Sequence, residues 1–155
     1  MDMTRPAAGD QAPDFEALSQ SGEKVSLSGL KGRKVILYFY PRDNTPGCTL
    51  EAKSLRDGRE ELRKMGFEII GVSPDSVRSH CGFAEKHSLG FVLLSDPDKK
   101  IAEAYGVWGE KKFMGRTVTG ILRTTFIIDE AGRIERVIDK VDTKNHWQQI
   151  AGLYK

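Results

Sequence analysis

Short apolar runs, separated by stretches of helical periodicity, constrain the fold more than any other feature of the chain. Residues 34–40, KVILYFY, form a continuous apolar, β-prone run of the kind required by a strand buried on both faces. Comparable runs follow at 67–73 (FEIIGVS), 91–95 (FVLLS), 124–129 (TTFIID) and 133–138 (RIERVI), and EAG between the last two is a hairpin turn signal. Helical patterns fill the gaps at 47–64, with Leu50, Leu55, Leu62 and Met65 on one side, and at 75–88, 98–105 and 143–154. Gly66 follows the first of these, where a left-handed C-cap would stop it. Strand, helix, strand, helix, strand is the order of βαβ units. The reading is therefore an α/β fold with helices on a mixed central sheet, the closing hairpin giving an antiparallel edge. The Gly-rich segment 106–120, GVWGEKKFMGRTVTG, reads as a long loop of the kind that carries function.

The 155 residues suffice for one domain with its own core, and no repeat, low-complexity tract or linker divides residues 1–155. Lys and Arg number 24 against 22 Asp and Glu, with no long block of one sign, which gives no support to nucleic-acid or membrane-surface binding. No apolar segment of export or membrane-spanning type is present, so cytoplasm is the expected compartment. The two cysteines, Cys48 and Cys81, cannot make a disulfide framework, and in a reducing compartment two thiols are either reactive or simply buried.

The surroundings of Cys48 favour reactivity. Pro41 stops the ladder of the strand ending at Tyr40, and a helix is expected to begin with Thr45 as N-cap and Pro46 at the first helical position. Cys48 is then the third helical residue. Its amide is one that the Thr45 hydroxyl can bond, and its thiol lies at the positive end of the helix dipole, an environment that favours the thiolate. Gly47 keeps the approach to the sulfur open. A small buried cysteine at a strand-to-helix junction is the plainer alternative.

The segment YFYPRDNTPGCT resembles the peroxiredoxins, thiol peroxidases on a thioredoxin-like scaffold, and within them the bacterioferritin comigratory, or Q-type, branch. It carries that family's PxxxTxxC signature as Pro41, Thr45 and Cys48. GDQAPDF at 9–15, LLSD at 93–96, YGVWGEKKFMG at 105–115 and GILRTTFIIDEAGRI at 120–134 extend the likeness, in the family's order, over nearly the whole chain. The resemblance implies a thioredoxin-like fold, no cofactor, a hydrogen peroxide or organic hydroperoxide substrate, thioredoxin or a similar thiol reductant, and a monomer. It also implies roles: Cys48 attacks the peroxide and becomes a sulfenic acid, and Arg123 stabilises the anionic sulfur and the transition state. Thr45 hydrogen-bonds the peroxide, and Pro41 shields the sulfur from bulk water. Trp108 and Phe113 could line a pocket rim that favours organic hydroperoxides or could anchor their loop to the core.

Many branch members carry a resolving cysteine five positions after the nucleophile, where this chain has Lys53. Others carry it in the helix after the second core strand. Comparison of SHCGF places that residue nearer Ala84 than Cys81, three positions away on the same helical face. Cys81 is the resolving candidate, and pairing it with Cys48 would need local unwinding, which Gly82 would ease. A one-cysteine enzyme using an external thiol stays open, as does a peroxide sensor that does not turn over. A thioredoxin-like disulfide oxidoreductase lacks the first cysteine of a CxxC pair. No metal is expected, a site built from His80, Cys81 and His87 needing distant further ligands. His146, beside Trp147, reads as ordinary surface of the last helix.

Overall fold

The computed structural model describes residues 5–154, apart from the side chain of Phe113. The chain runs through β1 (Glu16–Ser19), β2 (Lys24–Ser26), a 3-10 turn (Ser28–Leu30), β3 (Lys34–Phe39), α1 (Pro46–Asp57), α2 (Arg59–Lys64) and β4 (Phe67–Ser73). It continues through α3 (Val77–Lys86), β5 (Val92–Ser95), α4 (Lys100–Ala104), β6 (Trp108–Phe113), β7 (Arg116–Ile121), β8 (Thr124–Ile128), β9 (Ile134–Ile138) and α5 (His146–Gly152). Seven strands form one sheet in the order β2-β1-β5-β4-β3-β8-β9. The central β3, β4 and β5 are parallel, while β8, β9, β1 and β2 add antiparallel margins, with β9 at one edge as the closing hairpin foretold. Among the described residues no helix is long and apolar enough to cross a membrane.

The continuous apolar character of β3 follows from its place in the middle of two cores. Val35, Leu37 and Phe39 face Ile70, Val72, Leu94, Phe126 and the α4 residues Ile101 and Ala102. Ile36, Tyr38 and Tyr40 point the other way, toward Ala52 and Leu55 of α1, Leu62 of α2, Phe83 of α3 and Ile150 of α5. Alternation along one strand therefore feeds both layers, and the sheet is sandwiched between helices.

Two expectations are corrected, and one hairpin is new. The segment 47–64 is two helices, broken at Gly58, which caps both. A β-carbon at Gly58 would lie 2.1 Å from Cγ of Trp147, so the break is where α5 presses onto the α1–α2 corner, and Trp147 N also donates to Ser54 Oγ at 3.1 Å. The segment 106–120 is mostly a two-stranded hairpin, β6 against β7, turning through Met114 and Gly115 at φ of 52° and 78°. Two positive φ values at the tip are the primed-turn geometry that short hairpins favour. The polar hairpin β1–β2, unforeseen in the sequence, lengthens the sheet beside β5. Gly66, at φ +92°, does follow the last turn of α2 as a left-handed stop.

Gly58→Ala should lower stability by about 2 kcal/mol or more through overpacking against Trp147, whereas Gly82→Ala, where a β-carbon meets nothing within 4 Å, should not lower it. Urea unfolding of the two variants checks this contrast.

Candidate active site

The parallel strand β3 delivers the chain to the site. Tyr40 N still bonds Val72 O at 3.1 Å, and Pro41, with no N–H, ends the ladder. Asn44 turns the loop at φ 65°, Thr45 is extended, and α1 begins at Pro46, so Cys48 is its third residue. Thr45 is the N-cap by backbone, but no side chain caps the helix: its hydroxyl donates to Arg42 O at 2.9 Å instead. The expected bond from Thr45 Oγ1 to the Cys48 amide is thus not made, and the first-turn amides are left uncapped beside the sulfur.

Cys48 is 1% exposed. Arg123, in the short link between β7 and β8, brings Nη2 to 3.4 Å from Cys48 Sγ and Nη1 to 2.6 Å from Glu51 Oε1. Gly47 lets it in, since a β-carbon there would stand 3.3 Å from Nη2. Burial opposes the guanidinium charge, but Glu51 and Cys48 outweigh it and raise the Arg123 pKa. A cleft of about 420 Å³ opens onto this face, bordered by Pro41, Lys111, Leu122, Arg123 and Thr124. Burial, then repulsion by Arg123, lowers the pKa of Lys111. Trp108 does not border this cleft. It packs on the α4-side core with Lys99 Nζ 5.3 Å from its ring centre, and the side chain of Phe113 lies outside the described residues.

Glu51 was not singled out in the sequence, although it stands three residues after Cys48 on the helix face that also carries Ala52 and Leu55. It is fully buried, and burial pushes its pKa up to about 7 against the pull of Arg123. His146 is also fully buried, not on the surface: Nε2 lies 2.8 Å from Thr125 Oγ1 and 3.6 Å from Glu51 Oε2, and Nδ1 lies 2.9 Å from Gln149 Oε1. Burial pushes its pKa down to about 4.

A second buried polar group braces the loop between Pro41 and Thr45. Asp43 accepts from Tyr40 Oη at 2.6 Å and Ser79 Oγ at 2.7 Å, and its Oδ2 lies 2.7 Å from His80 Nδ1. His80 Nε2 is 3.0 Å from Leu94 O, so each ring nitrogen faces an oxygen that can accept from it. Asp75 completes the brace, accepting from Asp43 N and Ser73 Oγ, both at 2.7 Å. Asp43, Asp75 and His80 are the group among the described residues close enough to share a metal ion, but their facing atoms are already hydrogen-bonded to one another and to these donors. His80, Cys81 and His87 do not converge: His80 is buried, Cys81 is exposed, and His87 meets Phe83 edge-on at the end of α3. Both thiols are free.

The family model described as AhpC/TSA matches residues 8–137. The chain is 51% identical over 144 residues to a putative peroxiredoxin bcp of Haemophilus influenzae, covering 93% of each. It is 50% identical over 148 residues to peroxiredoxin Bcp of Escherichia coli, covering 96% of this chain and 95% of that one. A structure of the Xanthomonas campestris bacterioferritin comigratory protein, concerned with its alkyl peroxide reduction activity, superposes with a TM-score of 0.87 at 33% identity, covering 94% of this chain and 96% of that one. PrxQ of Xylella fastidiosa gives 0.89 at 28% identity, over 97% and 96% of the two chains. A thioredoxin-like fold with a buried cysteine under an arginine is therefore that of a thiol peroxidase. The chain belongs to the AhpC/TSA family, among the peroxiredoxins of the bacterioferritin comigratory type.

Asp43→Asn should destabilise the fold by about 2 kcal/mol, because it turns one acceptor of a buried, fully engaged carboxylate into a donor among the Tyr40, Ser79 and His80 groups that bond it. Burial raises the Asp43 pKa, but its hydrogen bonds, that of His80 first, outweigh this and hold it below the ordinary carboxylate value. Its contribution is therefore complete above the unfolded pKa, about 3.9, and is lost as pH falls through the folded one. Denaturation midpoints of the two proteins should converge on acidification.

Proposed function

We propose that Cys48 is the peroxidatic nucleophile and that Arg123, Thr45 and Pro41 form the rest of the reacting site. The observation that carries this reading is the Arg123 fork, with one nitrogen on Cys48 Sγ and the other on Glu51. A guanidinium at this distance attracts an anionic sulfur more strongly than a neutral one. As the Sγ–O bond forms, the O–O bond breaks, sulfur is oxidised to the sulfenic acid, and the departing oxygen takes a proton from solvent in the cleft to leave as water or alcohol. The uncapped first-turn amides and Arg123 supply donors where that oxygen becomes negative. Thr45 Oγ1 gives its proton to Arg42 O, which leaves its lone pairs to accept from the peroxide O–H. Pro41, on the cleft wall, keeps bulk water from the sulfur.

Hydrogen peroxide and organic hydroperoxides are the substrates in this reading, supported by the alkyl peroxide reduction of the Xanthomonas relative and by the Leu122 wall of the cleft. Cys81 then resolves the sulfenic acid: an Sγ–Sγ bond forms, water leaves, and a reduced thioredoxin or similar dithiol returns both sulfurs to thiols. The exposed position of Cys81 on α3 makes it open to a reductant. No cofactor enters this cycle. One chain supplies every group, so a monomer suffices as a single domain spanning 1–155, and dependence on reduced thiols suits the cytoplasm.

A one-cysteine cycle with an external thiol is the second reading, favoured by the burial of Cys48 and the exposure of Cys81 on a separate helix. A disulfide needs α-carbons within about 7 Å, so resolution by Cys81 requires the first turn of α1 or the α3 segment around Gly82 to unwind. Reduced protein mixed with stoichiometric hydrogen peroxide, alkylated over a time series and mapped by peptide mass spectrometry separates the two. Resolution by Cys81 gives a Cys48–Cys81 peptide; the one-cysteine cycle gives Cys48 sulfenic acid with Cys81 still alkylated. Cys48→Ser should abolish the reaction, and Arg123→Lys should slow Cys48 oxidation by about 10²-fold. Cys81→Ser should keep the first oxidation and lose thioredoxin-coupled turnover.

A further inference from the structure

Behind Arg123 lies a buried polar contact that the peroxide reaction as described does not use. Glu51 Oε2 is fully buried and has no hydrogen-bond partner, and His146 Nε2 lies 3.6 Å from it. The proton on the imidazole can be located from its neighbours. Gln149 Nε2 donates to Lys140 O at 2.9 Å and Gln149 Oε1 accepts from Asp142 N at 3.0 Å, which fixes the amide orientation. Oε1 therefore also accepts from His146 Nδ1, so that Nδ1 carries the hydrogen. In the neutral ring Nε2 is then a lone pair, taken in part by the Thr125 hydroxyl at 2.8 Å.

An ionised Glu51, though paired with Arg123 through Oε1, would set its other carboxylate oxygen against that lone pair with no donor between them, in a buried region where a polar atom without a partner is poorly tolerated. A proton on Oε2 removes the conflict, and the two atoms are a short side-chain adjustment from hydrogen-bonding range. We propose that His146 is a positioning residue for the peroxidase reaction: its Nε2 accepts a hydrogen bond from the protonated Glu51 carboxyl, keeps Glu51 neutral, and so leaves the Arg123 charge to the Cys48 sulfur. This rests on the assignment of Cys48 and Arg123 above. With Glu51 neutral, Arg123 faces one anion; with Glu51 ionised, it is divided between two. The other charged or titratable groups that face the pair are Tyr38 from β3, Lys111 from β6 near Arg123 and Cys48, and Asp142 ahead of α5. Burial raises the Tyr38 pKa and pushes that of His146 down to about 4, so near neutrality both are uncharged, while burial lifts the Glu51 pKa to about 7 and leaves its proton bound below neutral pH.

The test reads the second-order rate constant for the first oxidation of Cys48 by hydrogen peroxide, in single turnover, against pH. That step precedes resolution, so the fate of Cys81 does not enter. Divided by the thiolate fraction read from sulfur absorbance over the same pH range, the wild-type rate constant should fall about tenfold as Glu51 loses its proton, the size of a coupling of one pK unit. Glu51→Gln, a permanently neutral mimic, should abolish the fall. Thr125→Val, which gives the whole Nε2 lone pair to Glu51, should move the fall to higher pH. Gln149→Leu, which frees His146 to carry its hydrogen on Nε2 and donate to a Glu51 carboxylate, should move it to lower pH, with nitrogen NMR of the ring reporting the change of tautomer. A fall that persists in Glu51→Gln, or one that stays fixed in both folded neighbours, overturns the proposal. A wild-type Cys48 that reacts no faster than a free thiol would instead overturn the peroxidatic assignment.

Discussion

One planar cation organises the reactive end of this molecule. The Arg123 guanidinium bridges the sulfur of Cys48 and the carboxyl of Glu51, and both belong to the first two turns of α1. A fork of fixed geometry orients two partners at once, which a point charge on a flexible stem could not do. Other features follow from it. A β-carbon at position 47 would crowd Nη2, and Glu51 must stay within a core that would otherwise exclude a carboxyl.

The loop that carries Pro41 and Thr45 is held from the other side. Asp43 ties it to the end of β3 through Tyr40 and to α3 through Ser79 and His80, while Asp75 holds its backbone to the end of β4. Two buried polar clusters thus flank the sulfur, one through Arg123 to α5 and one through Asp43 to α3. Cys81 follows His80 directly on α3, so unwinding of that helix to reach Cys48 would strain the Asp43 brace as well.

The sheet and the thiol were legible because their signals are local. A strand buried on both faces must be apolar throughout, which is why β3, β4, β5 and β8 stand out, and Thr45-Pro46-Gly47-Cys48 marks a helix start by residue type alone. The hairpins β1–β2 and β6–β7 escaped because they are short, polar and exposed on much of their surface, and Met114-Gly115 is not a usual turn pair. The break at Gly58 depends on Trp147, far along the chain, and could not be read from the helix itself. Glu51 and His146 could have been found by position. Each stands on the apolar face of its helix, Glu51 beside Ala52 and Leu55 and His146 one turn before Ile150, and a polar residue there needs a partner. Which partner depends on tertiary packing.

The order in which the chain is made gives the Arg123 link a further meaning. Cys48 precedes its guanidinium by 75 residues, and His146 comes later still, on the last helix described. During synthesis the thiol emerges together with Glu51 but with neither Arg123 nor His146, so on the proposed reading an incomplete chain holds an ordinary cysteine. On that reading, reactivity toward oxidants comes only when β8 and α5 have closed over α1.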